Sequence, residues 1–245
     1  MNTGRIPAAP HAVLCLLLLA AALCAAELSR LLSAGVADMS AVWPSLGIAV
    51  GGALILGRRV LIGYAVVMFV WFLLQGASPL LAAFGGMQQG IEAWLAVTLI
   101  RWRLRRSELL SHLPDTLRFY FWGAFLPTLP LTLMTSWALH SQDRFIDFSL
   151  LDVWLVFWLA EILGVMLFAP IAQYLTYAAQ KGRLTFNVSR SGLMFSLVLT
   201  SLLVASLLLM GDETGYYGKM VSYLFFPLLA WAAMGRHQWR ALAGM

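Results

Sequence analysis

Three carboxylates within the apolar runs of this sequence could carry chemistry: Glu27, Glu92 and Glu161. An ionisable group in such a run costs a few kcal/mol on membrane-insertion scales, so each is a functional candidate by default. Glu161 lies deepest, in Trp158-Leu159-Ala160-Glu161-Ile162-Leu163-Gly164, with Pro170 nine residues further on. Pro170 removes a backbone hydrogen bond and can kink a helix. A carboxyl at that place either meets a ligand, a cation or a proton, or ties helices together. Glu92 follows Gln88, Gln89 and Gly90. Spacings of four and three put both amides on its helix face. That set serves either as a ligand contact or as a polar clamp between helices. Glu27 sits near the end of its run with Arg30 three residues on, a pair that reads as an interfacial anchor.

A fourth feature is Trp43-Pro44-Ser45-Leu46-Gly47, at the head of another apolar run. Pro44 suits the first position of a helix. The free N–H groups of that start, facing the exterior, would make an anion or carboxylate site. Trp43 alternatively anchors a rigid helix start at the interface, and the two readings are compatible. Other chemistries lack their residues. His11, His112, His140 and His237 are scattered without metal-ligand spacing. Cys15 and Cys24 are nine residues apart, about 13 Å along a helix and too far for a disulfide. There is no phosphate loop, dinucleotide fingerprint or supported Ser–His–Asp set. No catalytic residue, metal or cofactor is expected.

The elements that must position these groups follow from composition. Of 245 residues, 61% are hydrophobic and 11% charged, where soluble domains carry about 25% charged. This excludes a soluble globular enzyme, a disordered tail, and a collagen-like or coiled-coil rod. The net charge of +5 is assigned to cytoplasmic loops and not to nucleic acid. Eight apolar runs can be marked: His11–Leu32, Trp43–Leu56, Val60–Leu74, Leu80–Ile100, Phe119–Leu139, Leu150–Tyr174, Gly192–Met210 and Tyr216–Met234. The second and third are short and form either a re-entrant hairpin or two shielded spans. The first has the flanks of a signal peptide but the length of a span, and is read as a span.

Alternating sides puts 13 Lys and Arg with both termini and 3 opposite, so both termini are expected in the cytoplasm. The fold class is therefore all-α: a polytopic transmembrane bundle of about eight spans, N-in and C-in, in one domain over residues 1–245. Its longest polar stretch, Arg101–Arg118, is too short to fold alone. No internal repeat supports an inverted-repeat transporter.

The motifs then match a family. Trp43-Pro44-Ser45-Leu46-Gly47-Ile48-Ala49 resembles the Trp-Pro-Pro-x-Gly-Ile-Ala signature of the first class of membrane-associated sensor domains, the MASE family. Gln89-Gly90-Ile91-Glu92 is like the family's Asn-x-x-Glu. Glu161-Ile162-Leu163-Gly164-Val165-Met166, ending at Ala169-Pro170, is like its Gly-Asp-x-x-Gly-Val-Leu and Ala-Pro. Phe226-Pro227-Leu228-Leu229-Ala230-Trp231 is close to its last motif. The match runs from about Ser40 to Ala233. Gln89 replaces the usual Asn, Glu161 the usual Asp and Ala160 the usual Gly.

The resemblance implies an input module of a bacterial histidine kinase or diguanylate cyclase, multi-pass in the inner membrane. Its output domain is not in these residues. A cue from outside or from the membrane would bias two packings of the bundle. Implied partners are the lipid bilayer, a cytoplasmic output domain or protein and an unidentified ligand, with a homodimer among the permitted states and no nucleic acid. Ligand-binding or signalling candidates are Trp43, Pro44, Ser45, Gly47, Gln89, Glu92, Glu161, Gly164 and Pro170. The alternative is a transporter or substrate-capture protein with a midplane carboxylate site.

Overall fold

Apolar runs broken by proline and glycine fold here as helices, and in a bilayer a helix is the way a lone segment satisfies its own backbone. The computed structural model describes residues 10–32, 40, 42–104, 118–142 and 148–181. The runs Gly192–Met210 and Tyr216–Met234, the Phe226–Trp231 motif and most of the Arg101–Arg118 loop lie outside the described residues. Among the described residues there are helices and no strands. They are α1 (His11–Leu32), α2 (Pro44–Leu56), α3 (Val60–Leu74), α4 (Pro79–Arg103), α5 (Leu126–His140) and α6 (Leu150–Lys181), with a π-helical turn, Tyr120–Phe125, leading into α5.

The boundaries have local causes. Pro44 opens α2 and Gly57, at φ 92°, stops it, a conformation glycine adopts freely. Ser78 caps α4, its hydroxyl oxygen accepting from the Leu81 N–H at 3.3 Å, with Pro79 next. At the head of α6 the Asp152 N–H donates to Ser149 Oγ at 3.2 Å, and the Ser149 hydroxyl donates back to the Asp152 carboxylate at 2.6 Å. In the π-helical turn the Leu126 N–H reaches back five residues to the Phe121 carbonyl. The indole of Trp158 donates to the Phe125 carbonyl at the end of that turn, and the indole of Trp154 to the Leu129 carbonyl in the first turn of α5.

α1 and α6 are long and apolar enough to cross a membrane, over His11–Arg30 and Leu150–Tyr177. α2 and α3 have 13 and 15 residues, about 20 and 22 Å against about 30 Å of hydrocarbon. The reason α2 is short lies in its start. The Trp43 N–H donates to the Ala160 carbonyl at 2.9 Å. Ala160 is ten residues into α6, about 15 Å along it. The chain thus enters the bundle unwound and begins α2 part-way down. The Val42 carbonyl accepts from Ser40 Oγ at 2.7 Å and from Ser29 Oγ of α1 at 3.1 Å. Non-helical backbone at such depth is tolerated where protein surrounds it.

From there α2 runs parallel to α6, backbone against backbone. A Cβ on Gly47 would strike the Gly164 carbonyl, one on Gly51 the Ala169 carbonyl, and one on Gly164 the Trp43 carbonyl. Small residues permit this approach. α1 lies antiparallel to α2, with Leu18 filling the space at Gly52. α3 and α4 are also antiparallel, with Gly86 and Gly90 against Ala65 and Gly85 against Phe72. Leu46, Val50, Tyr64, Met68 and Val97 are central to the core. At the basic end, the Arg101 guanidinium donates to the Ala53 and Leu54 carbonyls of α2, each at 3.2 Å. Arg103 faces the rings of Trp102 and Trp122 at 3.7 and 4.4 Å.

Gly47→Ala and Gly164→Ala should each destabilise the protein by about 1–3 kcal/mol, the range for overpacking. Gly76→Ala should cost only about 1 kcal/mol of left-handed backbone strain, since Gly76 sits at φ 80° with nothing within 4 Å of a built Cβ. Thermal unfolding of the purified variants in detergent measures the difference.

Candidate functional site

Gln89 stands on α4 ten residues after Pro79, and Glu161 on α6 eleven residues after Leu150. The unwound entry of the chain brings Trp43 to the same level. The site is assembled there, between α2, α3, α4 and α6.

Its geometry is set by a donor that cannot accept. The indole N–H of Trp43 donates to Gln89 Oε1 at 3.1 Å, and an indole can do nothing else. The carbonyl end of the Gln89 amide is thereby turned toward Trp43. The Tyr64 hydroxyl donates to the same oxygen at 2.8 Å. The NH2 end then faces the other way and donates to Glu161 Oε1 at 2.7 Å and to Gln88 Oε1 at 3.3 Å. Gln88 passes its own NH2 to Glu92 Oε2, one helical turn along. On the far side Ser45 Oγ lies 3.2 Å from the Tyr64 hydroxyl and 3.6 Å from Met68 Sδ. With the Tyr64 proton committed to Gln89, the serine is the donor in either contact. Gln89 uses two donor and two acceptor positions, so its orientation is fixed.

The groups are out of water: Glu92 is 0% exposed and Glu161 6%. Among the described residues, neither Glu92 Oε1 nor Glu161 Oε2 has a hydrogen-bond donor. The two carboxyl groups belong to one buried cluster, linked through Gln88 and Gln89.

The structure thus brings together Trp43, Ser45, Gln89, Glu92 and Glu161. Gly47 and Gly164 lie beside this cluster as the close contact of α2 with α6. Pro44 serves as the first residue of α2. Pro170 stands nine residues beyond Glu161 on α6 and is not in the cluster. The open anion site expected at the head of α2 is not what forms: Ser45 and Leu46 are fully buried, and α6 covers the turn. Glu27 does pair with Arg30, through Nε at 3.0 Å. It also accepts from the Trp71 indole and the Gln75 amide, each at 3.1 Å. The Trp71 ring meets Trp43 edge-on, 5.6 Å between centroids.

Tyr64, Met68, Trp71 and Gln75 were not singled out from sequence. Tyr64 carried a signal: tyrosine favours membrane interfaces, and one within an apolar run needs a polar partner for its hydroxyl.

Gln89→Leu should be the most damaging polar replacement here. It strands the Trp43 N–H, the Tyr64 hydroxyl and a Glu161 oxygen together, and should cost about 3 kcal/mol or more, while Tyr64→Phe should cost about 1 kcal/mol. Chemical or thermal unfolding in detergent ranks the two.

In comparison with known proteins, the MASE1 family model matches residues 12–244. That span takes in α1 as well as every element of the cluster. Neither the curated proteins nor the solved structures gave a match.

Proposed function

The chain belongs to the MASE1 family of membrane-associated sensor domains, and from that premise we propose that it is a multi-pass input module of the bacterial inner membrane. It converts an extracytoplasmic or membrane cue into the activity of a cytoplasmic histidine kinase or diguanylate cyclase. One observation carries the reading. Three separated sequence motifs contribute Trp43, Gln89 and Glu161 to a single buried hydrogen-bonded chain. A purely structural bundle has little use for so many desolvated polar groups, each of which costs free energy to bury.

The mechanism follows from the connections. Trp43 belongs to the unwound segment that seats α2 on α6, and its indole is held by Gln89. A cue that changes the Gln89–Glu161 contact changes how α2 sits on α6. It can act only by binding one packing better than the other. The shift passes along the parallel α2–α6 pair toward the basic, cytoplasmic end, and from there to the output. The 13-to-3 split of basic residues supports eight spans with both termini inside. A homodimer fits this mode of output.

Reporter fusions after Met245 should be active in the cytoplasm and fusions after Asp212 outside it; the opposite result would refute the topology. Glu161→Gln keeps volume and hydrogen-bonding reach but removes the charge and the titratable proton. With the module joined to its native output, the variant should lose the pH- or ligand-dependent response while membrane expression stays near that of the wild type. An unchanged response would leave Glu161 as helix glue.

A further inference from the structure

Glu92 and Glu161 come from different helices and meet in the interior with one unused oxygen each, Glu92 Oε1 and Glu161 Oε2. Their other oxygens are taken by the amides of Gln88 and Gln89. The two carboxyls are joined through the Gln88 and Gln89 amides, and a buried oxygen on each that no donor reaches among the described residues is an incomplete arrangement. Two full negative charges side by side in a dry interior repel, with nothing to offset them.

Among the described residues, the surroundings supply no counter-charge. From α3 the titratable group is the Tyr64 phenol, already donating to Gln89. From α2 it is the Ser45 hydroxyl, which does not titrate. On α4 the basic residues are engaged at the far end, Arg101 with α2 carbonyls and Arg103 between tryptophans. Arg58, at the same end, is held by Thr98. On α6 the other acid, Asp152, is bound to Ser149. From α1 the nearest charges, Glu27 and Arg30, pair with each other. From the π-helical turn and α5 come only Tyr120 and the terminal His140. The hydrogen bonds that reach the two carboxyls among the described residues come from Gln88 and Gln89.

We propose that Glu92 and Glu161 together form a binding site for one proton, held between Glu92 Oε1 and Glu161 Oε2. One proton supplies the missing donor to one oxygen and gives the other oxygen its partner, leaving a single negative charge spread over the pair. Hard metal cations take about six oxygen ligands, and among the described residues two carboxyl oxygens are free here. Binding or release of this proton alters the pull on Gln89 and, through Gln89, on the Trp43 indole. Under the sensor reading, on which this last step rests, the cue at this site is a proton.

The site and the sensor reading can be tested separately. Infrared difference spectra of the full chain in lipid nanodiscs, wild type minus the Glu92→Gln/Glu161→Gln double variant, isolate these two groups. The spectrum at neutral pH should contain the carbonyl stretch of one protonated carboxyl per chain. It should shift in D2O, fade in alkaline buffer and ignore added sodium or potassium. Each single Gln variant should also lose the band, because the new amide N–H takes the proton's place between the pair. These singles keep shape, so folding, checked by size-exclusion profile, should hold. No band, a band worth two carboxyls, or a band removed by sodium would overturn the proton site. Output activity of the native fusion is then followed against pH. A band behaving as expected, with output indifferent to pH, supports the proton site and counts against the sensor reading. A pH-responsive output without the band overturns the proton site and leaves the sensor reading intact.

Discussion

An unpaired backbone N–H in an apolar interior costs several kcal/mol, and the Trp43 N–H, in unwound chain inside the bundle, would be one without a partner on α6. The bond from that N–H to the Ala160 carbonyl is the fixed point of the bundle. It holds unwound chain inside the protein, beside α6. Because the bond is made ten residues into α6, α2 needs only 13 residues to reach the basic end. Because both helices then descend together, their backbones stay in contact over Gly47, Gly51, Gly164 and Ala169. Arg101 completes the frame by holding the last carbonyls of α2.

The same fixed point determines the polar chemistry. With the Trp43 backbone anchored on α6, its indole is delivered to Gln89 on α4. A donor-only group then orients a side chain that could otherwise face either way. The orientation travels on to Glu161 and, through Gln88, to Glu92. One tryptophan thus links backbone satisfaction to the state of two buried acids. On its other face it meets Trp71, which reaches the half-exposed Glu27. The buried cluster and the α1 end of the bundle are therefore joined by contact.

Much of this was legible in the sequence. Hydropathy alone gave α1 and α3 to the residue, and Pro44, Gly57 and Pro79, which act on their own backbone, mark ends of α2 and α4 close to those expected, while α6 runs on past the expected Tyr174 to Lys181. The cost of buried charge singled out Glu92 and Glu161 without any knowledge of their neighbours. What the sequence could not carry was the crossing of elements. Nothing local to Ser45 says that α6 will cover it, so an exposed helix start was the natural expectation. Nothing local to Tyr64 says its hydroxyl will meet an amide 25 residues away. The π-helical turn was also hidden, since Tyr120–Phe125 reads as ordinary apolar helix until its Leu126–Phe121 bond is seen. The count of spans rests on charge and hydropathy, of which two helices give clear cases.

Gln89 and Glu161 stand where the motifs that the sequence resembles carry Asn and Asp. Each departure adds one methylene, and the two side chains face each other across a single 2.7 Å bond. The two lengths together bridge the gap between α4 and α6 at this level. Shortening either residue alone opens a gap that the other cannot bridge, while shortening both demands that the helices close together. The spacing between two helices is thus written in a matched pair of side-chain lengths, and the two positions are expected to change in concert among relatives.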